Sequence, residues 1–218
     1  MSQSTEIEIP IGYAKLGGNL TVPGGASVLV LFAHGSGSSR HSPRNHFVAR
    51  TLNEAGLATL LFDLLTPAEE AVDTLSRQHR FDIALLAERL LHAAQWTREE
   101  SDTRELGLGY FGSSTGCAAA LVAAAERPEQ VRAVVSRGGR PDLAGAALPR
   151  VQVPTLLIVG GDDDVVIDLN EQARRQMRCD VKLEIVPGAT HLFEEPGALE
   201  HVAALASDWF LQHAAALT

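Results

Sequence analysis

Cysteine is scarce in this 218-residue chain, with Cys117 and Cys179 the only two. A pair of thiols cannot build the disulfide framework of a small secreted domain. Neither has neighbours at metal-ligand spacing, so no metal and no cofactor are expected. Positive charge is also short. Lys and Arg number 18 against 27 Asp and Glu, a formal net charge of −9, which argues against the basic face of a sequence-independent nucleic-acid binder. No apolar run reaches the roughly 18 residues of a membrane-spanning helix. The opening MSQSTEIEIP lacks the basic flank and apolar stretch of a secretory signal, so a cytoplasmic chain is expected. Internal repeats and Pro/Ser-rich linkers are missing as well. With 45% hydrophobic residues, the expectation is one domain spanning residues 1–218 around an ordinary core.

What is present is alternation. ASVLVLFAH (26–34), LATLLFDLL (57–65), LGLGYFG (106–112), VRAVVSRGG (131–139), PTLLIVGG (154–161) and VKLEIVPG (181–188) read as strands. Several are apolar without period-2 patterning, as in strands covered on both faces. Helical patterns occupy 42–56, 80–99, 115–127, 168–177 and 197–216. This order predicts an α/β fold, a mostly parallel central sheet with helices on both faces. EIEIPIGYAKLGGNLTVP reads as an N-terminal antiparallel hairpin turning at Gly17-Gly18. The segment 65–82 is the longest irregular stretch, and the connection 138–153 is too short for a helical cap domain.

One corner carries chemistry. GYFGSSTGCAAA (109–120) passes from a strand pattern straight into an alanine-rich helix, and Gly112-Ser113-Ser114-Thr115-Gly116 fits G-x-S-x-G with Ser114 central. A nucleophile on such a turn is exposed above the sheet. Glycine is needed on either side because a Cβ there meets the neighbouring strand or helix. The helix that follows offers a free amide and a favourable dipole to developing negative charge.

A serine nucleophile needs a base, and the base needs an orienting carboxylate. LLIVGGDDDVV and LEIVPGATHLF end the next two late strands with Asp163 and His191, in the chain order Ser, acid, His. Only the fold can bring such distant residues together. Asp162, Asp164 and Asp142 compete for the acid role; Asp163 is preferred because Val165-Val166 follow it as an apolar anchor.

LVLFAHGSGSS, GYFGSSTG, LLIVGGDDDVV and PGATHLF, in this order across essentially the whole chain, resemble the α/β-hydrolases, and more closely the small lidless branch of dienelactone hydrolases and compact carboxylesterases. The resemblance implies Ser114 as nucleophile, Asp163 as acid and His191 as base. It also implies an oxyanion hole formed by the Ser36 and Thr115 amides. Dienelactone hydrolases characteristically carry cysteine at the elbow, where this chain has serine, and that departure favours ordinary ester hydrolysis. Cys117 lies inside the following helix and reads as a small core residue. HGSGSSRHSPRN also resembles hydrolase domains fused to phosphoribosyltransferases.

The reading is a serine carboxylic-ester hydrolase for small or short-acyl esters. An acyltransferase or thioesterase using the same triad, or a non-catalytic binding module on the same fold, stay open as alternatives. Arg40 and Arg137 fall on the catalytic edge, where they either bind an anionic substrate group or pair with local acids. The expected partner is a small-molecule ester, without nucleic acid or membrane; homodimer formation is left open.

Overall fold

In VLVLFA, Val28–Ala33, every residue is buried, and alternation divides them between two cores. Leu29, Leu31 and Ala33 pack on one face of the sheet, and Val28, Val30 and Phe32 on the other. A strand so covered needs helices on both sides. The structure is a computed structural model that describes residues 3–214.

The eight strands are β1 (Thr5–Ile11), β2 (Ala14–Thr21), β3 (Val28–Ala33), β4 (Ala58–Phe62), β5 (Gly107–Ser113), β6 (Val131–Arg137), β7 (Thr155–Gly160) and β8 (Val181–Val186). They form one sheet in the order β1-β2-β4-β3-β5-β6-β7-β8. The pairs β1–β2 and β2–β4 are antiparallel, and all others are parallel. The helices are α1 (Pro43–Glu54), α2 (Pro67–Ser76), α3 (Ile83–Glu99), α4 (Thr115–Glu126), α5 (Asp164–Gln176) and α6 (Ala198–Gln212). Helices α1 and α6 cover one face, while α3, α4 and α5 cover the other. The parallel strands all end at one edge, the usual place for a site in an open α/β sheet. No helix among the described residues is long and apolar enough to cross a membrane. The expected final helix to residue 216 stops at Gln212, and its last two positions lie outside the described residues.

Three expectations are corrected. The hairpin turns at Gly12 and Tyr13, with Gly12 at φ 56°, and not at Gly17-Gly18. Gly17 and Gly18 lie inside β2, where a Cβ on Gly17 would fall 1.7 Å from the Arg40 guanidinium. Glycine there makes room for a side chain from another segment rather than for a turn. The segment 65–82 is not irregular throughout. Thr66 accepts the Glu69 amide at 3.3 Å and Glu69 accepts the Thr66 amide at 2.8 Å, a capping box that starts α2. Finally, α5 begins at Asp164 rather than at 168, so Val165-Val166 lie in its first turn, with Val166 buried as an anchor and Val165 exposed. The connection after β6 holds only a short 3₁₀ stretch, Pro141–Arg150.

Candidate active site

Of the two serines at the corner, Ser113 is buried and donates to Asn45 Oδ1 of α1 at 3.2 Å. Ser114 stands between β5 and α4 at φ 50°, ψ −121°. That conformation is strained for a residue with a Cβ, and such strain persists only where neighbours fix it. Here the Ser114 carbonyl accepts the amides of Arg140 (3.0 Å) and Cys117 (3.2 Å), while its own amide donates to the Arg137 carbonyl (3.3 Å). The flanking glycines permit the approach. A Cβ on Gly116 would lie 2.0 Å from the Ala33 carbonyl oxygen, and one on Gly112 would lie 2.5 Å from the Cys117 Cα.

Two later strand ends reach the same place. Asp163 follows β7, and His191 sits on the loop after β8, with His191 Nδ1 and Asp163 Oδ2 2.7 Å apart. Of the competing acids, Asp142 is held by both nitrogens of an Arg140 fork at 2.8 Å, and Asp164 opens α5. The histidine loop is anchored by the buried Phe193 and by a Thr190 hydroxyl donating to Glu195 at 2.6 Å. Ser114 and His191 line one pocket of about 180 Å³, together with Ser36, Ser38, Arg44, Asn45 and Arg137. A hollow several times larger, about 1070 Å³, lies between the hairpin and the start of α2 and contains none of Ser114, Asp163 or His191. The small pocket is the candidate site because Ser114 and His191 both line it and Asp163 holds the His191 ring.

The loop after β3 carries a contact that the sequence did not show. The Ser36 amide is not free: it donates to Thr115 Oγ1 at 2.9 Å. The Thr115 hydroxyl supplies that acceptor from the first position of α4. The Thr115 amide opens α4, a position without an intrahelical partner. Behind the loop, His34 Nε2 accepts the Leu64 amide at 3.1 Å, so its proton sits on Nδ1, 3.0 Å from the Gly35 carbonyl oxygen. Burial holds the His34 pKa below its ordinary value of 6.5. The sign follows. Below that value the unfolded chain takes up a proton that the folded chain refuses, so stability falls as pH falls. Chemical unfolding between about pH 7 and 5 is expected to show this slope, reduced by up to one proton's worth in His34→Gln. Equal slopes would remove His34 as the cause.

The arginines divide. Arg40 lies outside the small pocket and is spent on Asp63, to which it donates from Nη1 and from its amide, each at 2.8 Å. Of the two readings offered by the sequence, this contact fits pairing with a local acid, while Arg40 also lines the large hollow. Arg137 does line the pocket. Sequence reasoning did not single out His34 or Asn45, whose contacts with Leu64 and Ser113 cross between segments, nor Glu195, which Thr190 holds within one loop. Cys117 is wholly buried, and burial pushes its thiol up to about 12, unsuited to nucleophilic work near neutral pH.

The model of the alpha/beta hydrolase domain matches residues 26–215. The chain belongs to the α/β-hydrolase family. The hydrolase is 60% identical to a dienelactone hydrolase from Anabaena variabilis whose crystal structure superimposes with a TM-score of 0.95, covering 97% of this chain and 98% of that one. It shares its fold with an α/β serine hydrolase without a lid from Xanthomonas campestris, TM-score 0.75 at 19% identity, over 96% of this chain and 94% of that one. A Mycobacterium tuberculosis protein provisionally named a phosphoribosyl transferase is 57% identical over 208 residues, which make up 95% of the hydrolase but 46% of the relative. The hydrolase therefore spans about half the length of that relative.

Proposed function

We propose that the hydrolase cleaves small carboxylic esters through Ser114, His191 and Asp163. The observation that carries this reading is the convergence of a strained, pocket-facing serine with a histidine already hydrogen-bonded to an aspartate. With Nδ1 engaged by Asp163, His191 has Nε2 left to take the Ser114 proton as Oγ attacks the ester carbonyl. Asp163 fixes that tautomer and stabilises the imidazolium. The tetrahedral oxyanion forms beside the Thr115 amide at the start of α4, and the Ser36 amide joins it by releasing Thr115 Oγ1. The C–O bond to the leaving alcohol breaks, and the alkoxide departs with the His191 proton. Water, deprotonated by His191, then releases the acid and restores the serine.

The pocket of about 180 Å³ favours short acyl groups. Turnover of p-nitrophenyl acetate and butyrate above octanoate, with covalent labelling of Ser114 by a fluorophosphonate, is the expected result. A binding module would show neither, and an acyltransferase would divert product to an added alcohol. Asp163→Asn should lower kcat by about 10⁴-fold through loss of the correct tautomer, whereas Asp142→Asn, whose partner is Arg140, should change it by less than about threefold. A large loss on Asp142→Asn with Asp163→Asn near wild type would reassign the acid. The transferase name carried by the M. tuberculosis relative belongs to a chain about twice as long, and we assign ester hydrolysis to the segment the two share.

A further inference from the structure

The inner face of β6 carries an anomaly. Ala133 and Val135 point into the apolar core shared with α1 and α6. The period of two places Arg137 in the same row, at the strand end beside Ser113. Its side chain is 8% exposed, and its Nη1 is buried without a hydrogen-bond partner among the described residues. Burial, and then repulsion from Arg44, push its pKa down to about 10, and no carboxylate contributes to offset them. Arg44 comes from α1 into the same pocket; its Nη1 reaches the exposed Glu194 at 3.1 Å, while its Nε is also buried and unpartnered. Asp163, behind His191, is committed to that ring. Arg40 and Arg140, by contrast, each hold an aspartate at 2.8 Å.

A buried guanidinium without a carboxylate is costly, since desolvation penalises the charge and orphans its donors. A pocket that keeps one open beside a nucleophile is built to receive an anion. We infer that Arg137, assisted by Arg44, forms an anion subsite, so that the substrates are small esters bearing a carboxylate or phosphate group. This inference rests on the ester-hydrolase reading for its chemistry but not for its binding. The guanidinium fork matches the paired oxygens of either group. The anion also cancels the Arg44–Arg137 repulsion, so the site gains twice by filling.

The test compares kcat/KM for matched charged and neutral pairs with the group on the acyl side: p-nitrophenyl hydrogen glutarate against p-nitrophenyl glutaramate, and p-nitrophenyl phosphonooxyacetate against its dimethyl phosphate ester. The wild type should favour at least one anionic member, and the preferred pair names the source. Arg137→Met should reduce that preference about 10- to 100-fold, the range for a hydrogen bond to a charged partner. Arg44→Met, at a more exposed site, should reduce it less, and it carries the test if Arg137→Met does not fold. No preference in the wild type, or a preference unchanged in both variants, overturns the subsite. If no ester is turned over, titration calorimetry with glutarate and inorganic phosphate decides separately. Binding weakened by either variant keeps the subsite while the hydrolase reading falls, and absence of binding removes both.

Discussion

Ser114→Ala should lose on the order of 10⁴- to 10⁶-fold in kcat for p-nitrophenyl butyrate, as expected when the nucleophile of a coupled triad is removed. The loss should fall on kcat rather than KM, because the hydroxyl acts on the reacting carbon and not on ground-state binding. Stability gives an independent readout. At φ 50°, ψ −121° the strain comes from the Cβ, so alanine retains it and glycine releases it. Ser114→Gly should therefore be more stable than Ser114→Ala by about 1–3 kcal/mol in equilibrium unfolding. Activity that survives in Ser114→Ala would sink the mechanism. Equal stability of the two variants would instead show that the corner is relaxed.

Gly116→Ala should be the most damaging small substitution in the molecule. The added methyl would sit 2.0 Å from the Ala33 carbonyl oxygen and 2.6 Å from that of His34, both backbone atoms of the β3 end. Backbone cannot swing aside as the tip of a side chain does, so α4 must lift from β3. Overpacking of this kind costs about 3 kcal/mol or more, and the Thr115 amide moves with the helix. Gly24→Ala supplies the comparison, since a Cβ there meets nothing within 4 Å and stability should stay within about 0.5 kcal/mol. Thermal unfolding checks both. A Gly116→Ala protein as stable as wild type would mean that β3 and α4 are not in close contact.

Much of the architecture was legible because it is written locally. The parallel strands announce themselves as apolar runs, and Val28–Ala33 shows why: neighbours on both faces demand apolar side chains at every position. The Gly-x-Ser-x-Gly corner was legible because its glycines answer to steric demands within a few residues and against the adjacent strand. The failures share the opposite property. Gly17 looked like a turn residue because its occupant, the Arg40 guanidinium, arrives from another segment. Arg40 and Arg137 were indistinguishable in sequence, yet one meets Asp63 at 2.8 Å while the other has no acid partner. The contact from the Ser36 amide to Thr115 Oγ1, 79 residues away, likewise left no local trace in the sequence. The start of α2 is a different case. Thr66-Pro67-Ala68-Glu69 carries a capping box and a proline at the first helical position, a local signal that outweighs the irregular look of the rest.

The hairpin has a consequence for substrate choice. Gly18 pairs with Phe62, the last residue of β4, so β2 begins beyond the end of its neighbour and the Gly12–Tyr13 tip projects from the catalytic edge. With α2 it walls the large hollow, which meets the small pocket at Ser38. In an ester cleaved at Ser114, the two halves of the molecule would thus be judged by separate stretches of chain. On that reading the β6 end and α1 would measure one half at close quarters, and the hairpin with α2 would accommodate the other loosely. Tolerance for one half and strictness for the other can then drift apart over evolutionary time, each revised without disturbing the groups that break the bond.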